Sequence, residues 1–334
     1  MLIRKIKKTF FMLGKLLADL RRRRNLYELA NDLDSPVVDR YYFVFREDRV
    51  ASGKDQALIR KFDADGIPLN KTYIDVDGRE DVYFPISIGQ MGLAVFHTFL
   101  ETQSETDRTR FLKFADWFVR HAEHDPECGA RWMTHVPLPQ YGNPGPWQSA
   151  FSQSRGISIL VRAFRLTREK RVAELAESAL IPFTRPVDEG GVTVFTPWGP
   201  FYEEYPASAP TLVLNGMIFA LCGVQDFVRV FPDHPEARRI LEDGIRTLEG
   251  ILPEYDLGYW SRYNLCRMDG YPDPDPATLG YQRLHVVQLE MLHRLTGKDV
   301  FREFAERFRK QDRWWNALRM YRIKHRALRR LKRL

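Results

Sequence analysis

Cysteine is scarce in this chain. Its 334 residues hold three, Cys128, Cys222 and Cys266, an odd number without metal-ligand spacing. That argues against a disulfide framework and a cysteine metal site, and points to reduced thiols in a cytoplasmic setting. Long hydrophobic runs are also missing. The longest apolar run near the N-terminus, Phe10 to Gly14, is too short for a bilayer span or a signal-peptide core. The body of the chain lacks net positive charge, although the whole carries +7. Residues 1–24 hold nine Lys/Arg against Asp19 alone, and residues 313–334 hold nine against no acid, which leaves −10 between residues 25 and 312. A body of that sign is not a nucleic-acid binder, so no nucleic-acid partner is expected.

The basicity belongs to the two ends. Ile3, Ile6, Phe10, Leu13, Leu17 and Leu20 recur at helical spacing among Lys and Arg, which predicts a basic amphipathic helix over residues 1–30. Residues 313–334, with Trp314, Trp315 and Tyr321, read as a second basic helical tail. Such helices suit either an anionic membrane surface or docking on the body. The corresponding expectation is peripheral association at the inner face of the plasma membrane, or with a glycan-synthase complex.

Residues 31–85 read as a small β-rich segment packed on the helices. Val37–Phe45 is a strand candidate, Lys71–Gly78 alternates before a turn, and Asp75, Asp77 and Gly78 lack the further ligands of a calcium loop. From residue 86 to 312 the pattern changes to helix pairs whose first members start near 86, 148, 211 and 281. In each pair the first helix is apolar and the second amphipathic, as in Phe111, Phe114, Ala115 and Phe118. About four such pairs predict a mainly α fold, an (α/α) toroid or barrel with the apolar helices inside. Long linkers rich in aromatics, Gly and Pro, at 124–147, 184–210 and 253–280, join the pairs. They are expected to converge at one end, where loops carry function.

Each linker offers candidate chemistry. Trp147 has the ring to stack on a sugar, and Gln153 and Arg155 just beyond it have donors for a polyanion. Tyr202, Glu203, Glu204 and Tyr205 form a second cluster; adjacent glutamates on extended chain face opposite ways, so one Glu and one Tyr are the working set. Tyr263 and Tyr281 end the third linker. A lone tyrosine in any of these places is more often structural, but three on converging segments, each with Arg or Glu nearby, shift that balance.

At these residues the chain resembles the glucuronyl C5-epimerases, which turn D-glucuronate into L-iduronate within heparosan-type chains. The resemblance rests on Tyr83–Leu93, Trp147–Gln153, Leu160–Phe164, Glu203–Pro206, Val213–Gly216, Leu252–Asp256, Tyr263–Leu265 and the run Tyr281, His285, Gln288, Leu289, in family order across about 80–312. It implies an isomerase of glycosaminoglycan-like polysaccharide biosynthesis acting on an acidic polysaccharide, with an (α/α) barrel preceded by β structure. It implies Glu204, Tyr205, Tyr263 and Tyr281 as catalytic residues and Asn215 as a substrate contact, with no metal and no cofactor. Where the family has Tyr-Asp-Leu-Arg this chain reads Tyr263, Asn264, Leu265, Cys266. Arg262, Arg267 and Arg283 are the candidates to replace that arginine at the uronate carboxylate, with Trp147, Gln153, Arg155, Tyr202 and His285 as further contacts. Removing a proton alpha to a carboxylate requires two acid/base groups on opposite ring faces and a positive environment for the intermediate. The rival readings are a uronate lyase, which shares the first step, and a non-catalytic glycan-binding protein of capsule assembly. A homodimer is left open.

Overall fold

The computed structural model describes Gly14 and residues 27–330, apart from 34, 53–58, 73–75 and 77–80. Eight helices form the expected four pairs. The inner members are α2 (Pro85–Thr102), α4 (Ala150–Thr167), α6 (Leu214–Val230) and α8 (Leu279–Thr296). The outer members are α3 (Glu105–Arg120), α5 (Lys170–Ser178), α7 (Pro235–Ile251) and α9 (Asp299–Gln311). A short α1 (Glu47–Ala51) precedes them and α10 (Trp314–Arg330) follows. Each outer helix packs on its inner partner, and the inner helices pack in chain order, α2 on α4, α4 on α6 and α6 on α8.

Local chemistry sets the ends of these helices. Ser104, Ser149, His234 and Thr278 cap α3, α4, α7 and α8 by accepting backbone N–H groups of the first turn. Helix α5 stops at Ser178 and the chain goes on to a 3₁₀ turn, Ile181–Thr184, where Pro182 removes a donor. Small residues let the inner helices approach closely. A side chain at Gly223 would meet the Ser154 backbone at 2.5 Å, and the Ser154 hydroxyl bonds Phe219 O and Gly223 N across that contact.

The β structure is sparse. Strands β1 (Ile59–Phe62), β2 (Pro68–Lys71) and β3 (Asp81–Tyr83) form one antiparallel sheet with Leu69 opposite Tyr83. Two hairpins sit in the linkers, β4 (Glu123–Asp125) with β5 (Gly129–Arg131), and β6 (Thr193–Thr196) with β7 (Gly199–Tyr202). Val37–Phe45 is not a strand: it is irregular chain with one bridge, Leu29 to Phe43. Several of its carbonyls are taken by side chains instead of a ladder.

Those side chains come from the C-terminal turns of the inner helices. Arg162 donates to Asp39 O and Arg40 O, Arg165 to Val38 O, Arg229 to Ser35 O and Val37 O, and Arg294 to Ala30 O and Asn31 O. His97 on α2 accepts from Tyr41 N at 2.9 Å through Nε2, so its proton sits on Nδ1, facing Phe45 O at 3.3 Å. Tyr41, Tyr42, Phe43 and Phe45 are buried behind this plug. All four inner helices thus point their C-termini at residues 30–45 and their N-termini at the opposite end.

The helix expected over 1–30 lies outside the described residues except for Gly14, which is helical, and residues 27–30, which are not: Ala30 N and Val44 N pair that stretch with Tyr42 and Glu28. The turn at Asp75–Gly78 also lies mainly outside them. Among the described residues no helix is long and apolar enough to cross a membrane.

Candidate active site

At the N-terminal end of the inner helices the three long linkers meet. Tyr141, from the first, stacks on Tyr205 of the second at 5.2 Å between ring centres and on Tyr271 of the third at 5.6 Å. Tyr263 lies 4.9 Å from Tyr281, which stands in the first turn of α8. Leu214, the first residue of α6, donates its N–H to Tyr263 O, and Ala150, the first of α4, donates to Glu203 O. The site is therefore assembled on helix N-termini, where the partial positive charge of unpaired amides favours anions.

The two glutamates diverge as their spacing predicts. Glu203 turns inward: its carboxylate accepts from Thr211 N at 2.8 Å, Leu212 N at 3.1 Å and the Thr211 hydroxyl at 2.5 Å. This clamp holds Leu212 at a φ of +50°, a conformation that costs a β-carbon-bearing residue roughly 1 kcal/mol or more. Glu204 lies against the start of α6, its Oε2 facing the Asn215 amide at 3.4 Å. Gly216 makes room for it, since a Cβ there would sit 2.4 Å from Glu204 Oε2. Burial pushes both carboxyls up to about 7. For Glu204 the Tyr205 hydroxyl and Asn215 pull the other way, and Glu203 adds to the rise. A carboxyl so placed takes up and releases a proton near neutrality.

The phenols are raised as well, which takes them further from neutrality. Burial, followed by Tyr205, Glu204, Tyr281 and Tyr141 around it, pushes Tyr263 well above the usual phenol value. Tyr141 and Tyr271 are also raised, chiefly by burial. Tyr271 donates to Asp275 Oδ2 at 3.0 Å, and Asn264 donates to the Tyr271 hydroxyl at 2.8 Å. Sequence reasoning missed this layer of Tyr141, Tyr271, Asn264 and Asp275. Its only signal was an aromatic residue in each Gly/Pro-rich linker.

Several expected substrate contacts are spent inside the fold. Gln153 is fully buried, donating to Ala130 O and Ala179 O and accepting from Trp132 N. Arg155 is also fully buried, with Tyr41, Phe45, Phe151 and Phe219 rings 4.8–5.3 Å from its guanidinium. Trp147 is buried behind Tyr205, 5.5 Å ring to ring, with its indole N–H on Val136 O, so it backs the site instead of offering a stacking face. Tyr202 is buried with its hydroxyl on Ile240 O. His285 is fully buried; Ser261 donates to Gln282, so its hydroxyl accepts from His285 Nδ1 at 2.9 Å. Burial lowers that imidazole to about 3 and keeps it neutral. Arg262 is paired with Asp273 at 2.5 Å and Arg283 with Asp312 at 2.7 Å, while Arg267 is exposed on the loop.

A groove of about 370 Å³ reaches Tyr205, lined by Thr193, Phe195, Glu203, Tyr205 and the 206–210 segment. Among the described residues no three His, Cys, Asp or Glu side chains are grouped to hold a metal ion.

Comparison with known proteins bears on the family and the fold. Residues 125–310 match the family model described as D-glucuronyl C5-epimerase C-terminus. The chain is 27% identical over 234 residues to the D-glucuronyl C5-epimerase of Caenorhabditis elegans, covering 67% of this chain and 38% of that protein. It is 26% identical over 182 residues to an uncharacterized protein of Methanocaldococcus jannaschii, covering 53% of this chain and 56% of that protein. The chain thus spans well under two thirds of either relative. Cellobiose 2-epimerase from Spirochaeta thermophila superposes with a TM-score of 0.52 at 14% identity, over 85% of this chain and 78% of that one. At that identity the likeness concerns the (α/α) fold alone.

Proposed function

The chain belongs to the family of D-glucuronyl C5-epimerase C-terminal domains, and from that premise we propose that it is an isomerase that inverts C5 of D-glucuronate to L-iduronate within a heparosan-like polysaccharide. The observation that carries this reading is the meeting of Glu204 and Tyr205 with Tyr263 and Tyr281 at the N-termini of α6 and α8.

The geometry favours one division of labour. A sugar held between two rings needs about 7–8 Å, two contacts of ~3.5–4.0 Å, and Tyr263 and Tyr281 are 4.9 Å apart. They form one wall together. In this reading Tyr205, hydrogen-bonded to Glu204, serves as the other. Glu204, through Tyr205, takes the C5 proton; the electron pair moves into the carboxylate as an enediolate; a phenol of the Tyr263–Tyr281 wall, kept protonated by burial, returns a proton to the opposite face. The reverse reaction exchanges the roles. The added negative charge lies at helix N-termini, which stabilise it in a water-poor cleft.

The basic tail α10 and the N-terminal segment belong to the same proposal as attachments to an anionic membrane surface or a synthase complex at the cytoplasmic face. The test of function is deuterium incorporation at C5 of heparosan in heavy water. Incorporation with iduronate formation supports the reading. An unsaturated uronate would assign a lyase instead, and binding without exchange a glycan-binding protein.

A further inference from the structure

The sequence asks for a cation beside the tyrosines. The structure brings one from outside the family-matched stretch. Helix α10 docks through Ala317 and Met320 onto Tyr259, Trp260, Ala277 and Leu279. That docking directs Lys324 into the linker layer. Its Nζ donates to Asp275 Oδ1 at 2.7 Å and to Pro276 O at 3.0 Å, and lies 5.5 Å from the centre of the Tyr263 ring. Only 17% of the Lys324 side chain is exposed.

The connections beyond Lys324 run to both walls of the site. Asp275 Oδ2 accepts from Tyr271, Tyr271 stacks on Tyr141, and Tyr141 stacks on Tyr205. Asp275 O also accepts the Tyr263 N–H at 2.8 Å. The ammonium therefore fixes the residue that holds the Tyr263 backbone and anchors the aromatic stack. It also sets a positive charge near a phenol otherwise surrounded by Glu204, Tyr205, Tyr141 and Tyr281. A partly buried charge at this range is only weakly screened.

We propose that Lys324 is a positioning residue of the site: it orients Asp275 and the Tyr263 backbone, and its charge makes the Tyr263 phenol easier to ionise. Helix α10 is then a structural wall of the active centre as well as a surface tail. The effect on catalysis rests on the epimerase reading above, whereas the effect on the phenol does not.

The test uses the full chain carrying 3-fluorotyrosine, whose phenol ionises at lower pH than that of tyrosine, with the residue 263 fluorine resonance identified by its loss in Tyr263→Phe. Lys324→Met raises the midpoint of that resonance by about one pH unit, and Lys324→Arg leaves it within a few tenths. Should α10 undock in Lys324→Met, Asp275→Asn gives an independent reading of opposite sign, because it leaves the ammonium without its counter-charge and lowers the midpoint. An unchanged midpoint in folded Lys324→Met, or a rise in Asp275→Asn, overturns the proposal. With heparosan, Lys324→Met slows C5 deuterium incorporation about tenfold and moves its pH profile in the same direction as the midpoint. If the parent chain exchanges no C5 hydrogen, the epimerase reading fails while the fluorine titration still decides the role of Lys324.

Discussion

At the C-terminal ends of α4, α6 and α8 the protein packs arginines against main-chain carbonyls, and at the N-terminal ends of the same helices it gathers carboxyls and phenols near main-chain amides. Both choices follow the helix dipole, which favours cations at the C-terminus and anions at the N-terminus. The ends differ in what is left over. At the sealed end Arg162 pairs with Asp226 at 2.6 Å, both side chains fully buried, and its remaining donors go to residues 39, 40 and 158. At the open end Glu204 has one amide at 3.4 Å and the Tyr205 hydroxyl, so its carboxyl stays near 7. A fully committed charge contributes to a unique fold; an under-committed one is available for proton transfer.

The largest effect separating the ends is expected at Arg162. Arg162→Met leaves Asp226 buried without its main partner and removes several hydrogen bonds, so unfolding in urea should show a loss of about 3–5 kcal/mol. A loss below about 1 kcal/mol would mean that the sealed end is not where the fold keeps its buried charge. Next comes Glu204→Gln at the open end. It removes the ionisable group but keeps the contact with Asn215, so C5 deuterium incorporation should fall about a hundred- to a thousandfold. Stability at pH 8 should stay level or rise, because a buried carboxylate no longer has to form. Retained exchange would remove Glu204 from the chemistry.

The same contrast explains what was legible in the sequence. Helix pairs and converging linkers were visible because 3.6-residue periodicity and Gly/Pro punctuation report on local structure, and the opposed directions of Glu203 and Glu204 follow from strand geometry alone. Gln153 and Arg155 misled because their polarity reads as exposure, while α4 is buried along both residues: carbonyls satisfy Gln153, and among the described residues the Arg155 guanidinium meets ring faces and no hydrogen-bond acceptor. Val37–Phe45 misled because β-branched and aromatic residues fit a plug as well as a strand. Lys324 was invisible because no local pattern shows what a basic helix docks against.

Buried carboxyls and buried imidazoles predict opposite responses to pH, and His285 near the start of α8 is lowered to about 3 in the same sense as His97. Glu203 and Glu204 have folded values near 7 against 4.5 for the free group. Between those values the folded protein holds more protons than the unfolded chain, so stability falls as pH rises from about 4.5 to 7, by up to ~1.4 kcal/mol per unit per group. His97 at the sealed end is lowered from 6.5 to about 3, mainly by burial and next by Arg162. There the unfolded chain holds the extra proton, so this contribution is lost as pH falls from about 6.5 toward 3. Urea midpoints across pH 4–8 should show the rising-pH loss reduced in Glu204→Gln and the falling-pH loss unchanged in it. A rising-pH loss of the same size in Glu204→Gln would mean that Glu204 is ordinary in its ionisation.

The smallest effect is expected at Leu212, and it asks whether the open end is held by Glu203 or by the turn itself. At a φ of +50° leucine carries strain that glycine would not. Leu212→Gly relieves that strain, raises the entropy of the unfolded chain by about 0.4–1 kcal/mol and gives up a half-buried side chain. These contributions oppose one another, and the net change in unfolding free energy should stay within about 1 kcal/mol. Glu203→Gln should cost more, about 1–3 kcal/mol, because one amide cannot replace both carboxylate oxygens on Thr211 and Leu212. If instead Leu212→Gly is the more damaging change, the turn depends on the leucine side chain. The clamp would then not be what delivers Asn215 and the start of α6 to Glu204.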